Sequence, residues 1–172
     1  MLKIKLFKNG KGGFALIELL VVIAIIGVLS SIVLASLNTA RNKGNDAAIK
    51  ANLSNIRAST EIYYDNNSNA YGADFALANC PAADAAATNM FAKDANIAKA
   101  VVAANTSSGS NAKCAANDSV AATTGTAATS WAISSVLKQD TTKFYCVDST
   151  GFADTGTKQA TINGTSNLAV CG

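Results

Sequence analysis

The chain has 172 residues, enough for one ordinary domain and an appendage, and it contains no histidine. The composition therefore argues against an enzyme and against a histidine-bound metal site, because histidine is the commonest general base and metal ligand. The net charge is +3, but Lys3, Lys5, Lys8 and Lys11 lie before residue 13, and without them 10 basic side chains face 11 acidic ones. The remaining balance of −1 predicts no nucleic-acid-binding surface on the rest of the chain.

A short basic segment precedes a long apolar one. Residues 1–13 end in Lys11-Gly12-Gly13, and residues 14–37 carry one charged side chain, Glu18. A helix of these 24 residues would be about 36 Å long, enough to cross a bilayer core of about 30 Å. The lysines predict that the N-terminal end stays in the cytoplasm. A carboxylate in such a segment is costly, so Glu18 requires a reason.

The sequence becomes polar from residue 38, but a helical pattern continues. One set of side chains is spaced alternately by four and three residues: Ile49, Leu53, Ile56, Thr60 and Tyr63. This spacing is typical of one face of an amphipathic helix. We therefore predict a single helix over residues 14–65, ended by the cluster Asn66-Asn67-Ser68-Asn69.

The rest of the chain predicts a small head. Residues 71–130 are rich in Ala, Asn, Thr and Ser, with a short helix predicted at 92–104, a loop at 106–111 and low complexity at 123–129. Strands are predicted at 131–137 and 144–147, joined by a turn at 139–142, with a weak third strand at 160–162 and a last edge strand at 168–171. The predicted domains are a leader (1–13), a membrane or filament-core helix (14–37) and a globular head (38–172).

Four widely spaced cysteines lie in the predicted head: Cys80, Cys114, Cys146 and Cys171. None belongs to a Cys-x-x-Cys pair, so a zinc ribbon or a thioredoxin-like site is not indicated. An even number of cysteines after a membrane segment predicts two disulfides in an oxidising compartment. The sequence leaves three pairings open, and buried, unpaired cysteines are the alternative.

The segment Gly13-Phe14-Ala15-Leu16-Ile17-Glu18, with the apolar run that follows, resembles the class III signal segment of type IV pilins and of type II secretion pseudopilins. The resemblance reaches to about Ala40. It implies that a prepilin peptidase cuts between Gly13 and Phe14 and N-methylates Phe14. It also implies a role in subunit assembly for Glu18, the fifth residue of the mature chain.

The resemblance implies an α+β pilin fold, in which the outer half of a long N-terminal helix packs on an antiparallel sheet of three or four strands in a disulfide-stabilised head. Among the three pairings we favour the sequential one, Cys80 with Cys114 and Cys146 with Cys171. Many pilins have a disulfide near the C-terminus, and Cys146 to Cys171 resembles that arrangement. One departure is Ala35, where many type IV pilins have a proline.

The implied function is structural: a single-pass inner-membrane precursor, with its head outside, is cleaved, methylated and polymerised with other copies by inner-membrane machinery into an extracellular or periplasmic filament. No cofactor, metal or nucleic acid is expected. A type II secretion pseudopilin and a minor pilin that binds a ligand at a fibre tip remain alternatives. A plain anchor, or a secretory signal cut after Val33-Leu34-Ala35, explains the apolar run but leaves Glu18 unexplained.

Asp148-Ser149-Thr150-Gly151 is predicted to be a turn, with a calcium loop as the alternative.

Overall fold

The computed structural model describes residues 15–118, 127–162 and 168–172. In chain order the elements are α1 (Leu16–Asn66), β1 (Phe75–Asn79), α2 (Met90–Lys93), α3 (Ala95–Ser108), β2 (Lys113–Asn117), β3 (Ser130–Val136), β4 (Phe144–Asp148), β5 (Ala153–Gly156), β6 (Ala160–Ile162) and β7 (Ala169–Cys171). By its internal contacts the chain divides into two units, Met1–Thr39 and Ala40–Gly172. The larger unit is called the head below.

The helical stripe of the head is the one that the spacing predicts. Ile49, Leu53, Ile56, Thr60 and Tyr63 are the buried residues of α1. The four apolar members of this stripe pack with Phe91, Ile97, Trp131, Ile133 and Val147 from the other elements into one core. The prediction of an amphipathic outer half, which follows from the 3.6-residue period, is therefore confirmed.

The end of α1 also lies where the sequence places it. Asn67 donates from Nδ2 to the carbonyl oxygen of Tyr63 (2.7 Å), and the backbone N–H of Asn69 donates to Tyr64. Ser68 and Asn69 have φ angles of 57° and 58°, a left-handed conformation that asparagine tolerates better than most residues. These contacts satisfy carbonyl groups of the last helical turn and stop the helix.

Five antiparallel strands form the main sheet in the order β1-β2-β3-β4-β5. The α+β fold is thus confirmed, with five strands rather than the predicted three or four. The strands at 131–137 and 144–147 correspond to β3 and β4. The additional strands β1, β2 and β5 were not predicted, because their sequences FALAN, KCAAN and ADTG carry little β-strand propensity.

The C-terminal strands do not join the edge of this sheet. β6 and β7 pair with each other as a separate two-stranded ribbon, so the expectation that residues 168–171 form an edge strand was wrong in placement. The ribbon contributes Ala160, Ala169 and Cys171 to a second buried cluster, which Ala132 and Cys146 of the main sheet complete. Both faces of β3 are therefore covered, and Ser130–Ser135 are all buried.

The predicted loop at 106–111 was also wrong in part, because α3 continues to Ser108. Asp94 begins this helix by accepting hydrogen bonds from the backbone N–H groups of Asn96 and Ile97. Ile97, Val101, Ala104 and Ser108 then continue a buried face to the last turn. Gly109 ends the helix in the left-handed conformation (φ 72°). Of the predicted low-complexity segment, residues 123–126 lie outside the described residues.

Candidate assembly segment and head

Glu18 lies in the first turn of α1 and acts there as a helix cap. Its Oε2 accepts a hydrogen bond from the backbone N–H of Ala15 (3.1 Å), while Glu18 N donates to the Ala15 carbonyl (3.0 Å). A carboxylate three residues into a helix that bonds back to the capping residue is the acidic half of a capping box. Its negative charge also suits the positive end of the helix dipole.

The predicted cleavage and methylation positions, Gly13 and Phe14, lie outside the described residues. Ala15, however, is bonded directly to Phe14 in the sequence. The Glu18 carboxylate therefore contacts the amide nearest to the amine that a cut after Gly13 would create. In the sequence, Phe14 precedes Glu18 by four positions.

The apolar half of α1 is exposed along its whole length. Exposed fractions are 86% for Leu16, 56% for Ile26 and 45% for Leu37. By length and composition, α1 contains one stretch apolar enough to cross a membrane, with a mean hydropathy of 2.8 and no buried residue in that window. Contiguous apolar surface of this size indicates a segment that is covered by lipid or by other protein.

Two disulfides join the predicted pairs of cysteines in the head. Cys80 is bonded to Cys114 and Cys146 to Cys171, which is the sequential pairing. Cys114 lies in the core that contains the α1 stripe, whereas Cys146 and Cys171 lie in the cluster under the ribbon. The two bridges therefore stabilise different packing layers.

Three buried polar side chains hold the β6–β7 ribbon on the main sheet. Ser134 and Ser130 of β3 accept hydrogen bonds from the backbone N–H groups of Ala160 (2.9 Å) and Ala169 (2.8 Å), respectively. Oδ2 of Asp148 accepts from Cys171 N (2.9 Å). The sequence does not predict these three contacts. The signal that it offers is the presence of serines within the otherwise apolar strand β3, because a buried polar side chain needs a hydrogen-bond partner.

Asp148 also forms the turn that the sequence favours. Its Oδ1 accepts hydrogen bonds from the backbone N–H groups of Thr150 (2.9 Å) and Phe152 (3.2 Å) and from the Thr150 hydroxyl (2.6 Å). Both carboxylate oxygens are thus occupied by protein donors, an arrangement typical of a structural aspartate in a turn. Within the described ranges, no group of three or more His, Cys, Asp or Glu residues could hold a metal ion.

Polar contacts tie α1 to the rest of the head. Asp46 accepts from the backbone N–H groups of Lys138 and Gln139, and Ser54 is hydrogen-bonded to the Tyr145 hydroxyl (2.8 Å). The Tyr71 hydroxyl donates to Oε1 of Glu61 (3.1 Å). Burial, followed by the hydrogen bond and charge of Glu61, raises the pKa of Tyr71 to about 12.

Comparisons with known proteins find similarity over part of the chain. Residues 8–34 match the family model of the prokaryotic N-terminal methylation motif. A segment of 62 residues is 45% identical to the type IV wide pilus major component PilA4 of Thermus thermophilus, and it covers 36% of this chain. The match spans about half of that relative's length (47%). No solved structure matches the chain significantly.

The fold and the N-terminal segment define a class: a long N-terminal helix, an exposed apolar half with a carboxylate in its first turn, and a disulfide-bonded antiparallel head. The motif and the relative carry the same resemblance: the chain contains a prokaryotic N-terminal methylation motif and is similar over part of its length to a type IV pilus component.

Proposed function

We propose that this chain is the structural subunit of a type IV pilus-like filament. The observation that carries the proposal is the pairing of Glu18 with Ala15 N–H at the start of the exposed apolar half of α1. A plain membrane anchor does not need a carboxylate at that position, because it adds a cost to membrane insertion.

In the proposed life cycle the precursor is inserted in the inner membrane with its head outside. A prepilin peptidase removes residues 1–13 and methylates the amine of Phe14. In the growing filament, the Glu18 carboxylate pairs with the Phe14 amine of a neighbouring copy. A buried carboxylate is tolerated when paired and costly when alone, so this contact fixes the axial register between copies.

During assembly the apolar half of α1 leaves the lipid and packs against the same segment of other copies. Its exposed leucine, isoleucine and valine side chains form the filament core, and the head faces outwards. Each copy meets its neighbours through two different surfaces, which gives an open helical polymer rather than a closed ring.

Electron microscopy of a deletion strain, complemented with the full chain, tests this function. We expect filaments with the wild-type gene and none in the deletion. Glu18→Gln keeps the size of the side chain but removes its charge, and we expect it to reduce filaments strongly while the precursor still reaches the membrane. A matched control is Thr39→Val, since among the described residues the Thr39 hydroxyl bonds only Ala35 of its own helix. A deletion strain that keeps all its filaments would refute the proposal.

A further inference from the structure

The first cations after the apolar half of α1 are Arg41 and Lys43. They follow Leu37 by four and six positions in the sequence, and α1 continues through them without a break. No acidic side chain occurs in the sequence between Glu18 and Asp46. A band with two positive charges and no negative charge therefore borders the apolar segment on its C-terminal side.

Neither cation has a partner within the part of the chain that the structure describes. Arg41 and Lys43 are both exposed, and neither forms an ion pair or a hydrogen bond with a described residue. The next acid in the sequence, Asp46, has its carboxylate occupied by the backbone N–H groups of Lys138 and Gln139. The two charges are therefore available to an anion outside the chain.

The two side chains do not converge on one small ligand. Successive residues of an α-helix are rotated by about 100°, so Arg41 and Lys43 lie on nearly opposite sides of α1. A ligand in a pocket, or a protein docked on one side of the helix, would reach one of them only. An anionic layer that surrounds the helix would reach both.

The headgroup layer of a membrane has the charge and the depth that these positions require. A bilayer is about 40–45 Å thick with its headgroups and about 30 Å thick without them, which leaves about 5–8 Å on each side. Helical residues four and six positions beyond Leu37 lie about 6 and 9 Å farther along the helix axis. Arginine and lysine have long side chains that place their charges at such an interface.

We propose that Arg41 and Lys43 bind the phosphate groups of anionic phospholipids in the membrane leaflet that faces the head. This inference rests on the membrane-anchored precursor of the proposed function. The guanidinium offers parallel N–H donors to phosphate oxygens, and the ammonium adds a compact positive charge. These contacts fix the depth of α1 in the bilayer, and they are lost when a copy leaves the membrane for the filament.

Photo-crosslinking of the full chain in vesicles tests this contact locally. Ala40→benzoylphenylalanine places a photoreactive group beside Arg41 and one helical turn before Lys43. The vesicles contain equal amounts of phosphatidylglycerol and phosphatidylcholine, and mass spectrometry identifies the crosslinked lipid. We expect about threefold more adduct with phosphatidylglycerol, because cations near a membrane surface attract anionic lipids. The added double variant Arg41→Gln/Lys43→Gln should bring the two adducts to nearly equal amounts.

The matched control is Lys50→Gln/Arg57→Gln, which removes two other cations of α1. It should keep the preference for phosphatidylglycerol, because carboxylates line the grooves to which these two side chains contribute. Both disulfides on a non-reducing gel report that each variant folds. If the double variant at 41 and 43 does not fold, the single variants Arg41→Gln and Lys43→Gln replace it.

The outcomes separate this inference from the proposed function. Equal adducts of the two lipids in the chain that keeps both cations would overturn the inference and leave the filament function intact. Crosslinks to a second copy in place of lipid, or a preference that survives the loss of both cations, would do the same. A chain that does not enter the vesicles at all would contradict the membrane-anchored precursor, and with it the proposed function.

Discussion

The carboxylate of Asp148 and the backbone N–H of Cys171 form a hydrogen bond of 2.9 Å between residues that are 23 positions apart. The same carboxylate accepts three more hydrogen bonds from the β4–β5 turn, and Cys171 is also bonded through sulfur to Cys146. The last strand of the chain is therefore held at one residue by a polar and a covalent link. The head depends on both, because its ribbon buries few large apolar side chains.

We expect Asp148→Ala to destabilise the head by about 3 kcal/mol, because buried backbone donors lose a charged acceptor. The measurement is the thermal unfolding of the detergent-solubilised full chain by circular dichroism. Asp154→Ala is the matched control, since Asp154 is exposed and, within the described part of the chain, accepts a hydrogen bond only from its neighbour Thr155. Equal melting temperatures for the two variants would contradict the role assigned to Asp148.

The two disulfides should contribute similar and independent amounts. They close loops with sequence separations of 34 and 25, and the chain-entropy model assigns about 3–4 kcal/mol to each. We expect the serine double variants of Cys80/Cys114 and of Cys146/Cys171 to lose comparable stability. The losses should add in the quadruple variant, because the bridges lie in different clusters. A quadruple variant no less stable than either double variant would contradict this independence.

The buried stripe of α1 should carry much more stability than the rest of the same helix. Leu53 is fully buried, and we expect Leu53→Ala to cost about 2–5 kcal/mol through lost burial and a cavity. Ile62 is 62% exposed, and Ile62→Ala should change stability by no more than about 0.5 kcal/mol. Thermal unfolding compares the two variants. A larger loss of stability at Ile62 than at Leu53 would contradict the packing face assigned to α1.

Alkaline pH should weaken the head through Tyr71. Its pKa is raised from 10.0 to about 12 in the folded chain. The folded state therefore holds this proton more tightly than the unfolded state does. The corresponding stability is present below pH 10 and is lost as the pH rises through 12. We expect the difference in stability between the wild type and Tyr71→Phe to narrow over this range. A difference that stays constant from pH 9 to 12 would contradict the shift.

The sequence predicts those parts of the fold that carry a period or a strong composition. The stripe from Ile49 to Tyr63 repeats at helical spacing, and β3 and β4 contain aromatic and β-branched residues. β1 and β5 could not be predicted, because alanine, asparagine, aspartate and glycine dominate them. They are strands because they pair with β2 and β4.

Some features of the candidate site can likewise be predicted from the sequence, and others cannot. Glu18 stands out in the sequence because a charge inside an apolar run is costly. The contact between Asp148 and Cys171 has no local signal, since it depends on how the ribbon sits on the sheet. The groove lined by Arg57, Ser149 and Thr150 likewise forms only where the β4–β5 turn meets α1. Contacts between distant segments follow from packing rather than from any spacing in the sequence.

The most direct test of the account is the mass of the N-terminal peptide from purified filaments. We expect a subunit that begins at Phe14, lacks residues 1–13 and carries one methyl group on its amine. This result would show that the filament subunit is this chain, cleaved at the motif of residues 8–34 and carrying Glu18 as its fifth residue. Filaments whose subunits retain residues 1–13, or begin at any residue other than Phe14, would contradict it.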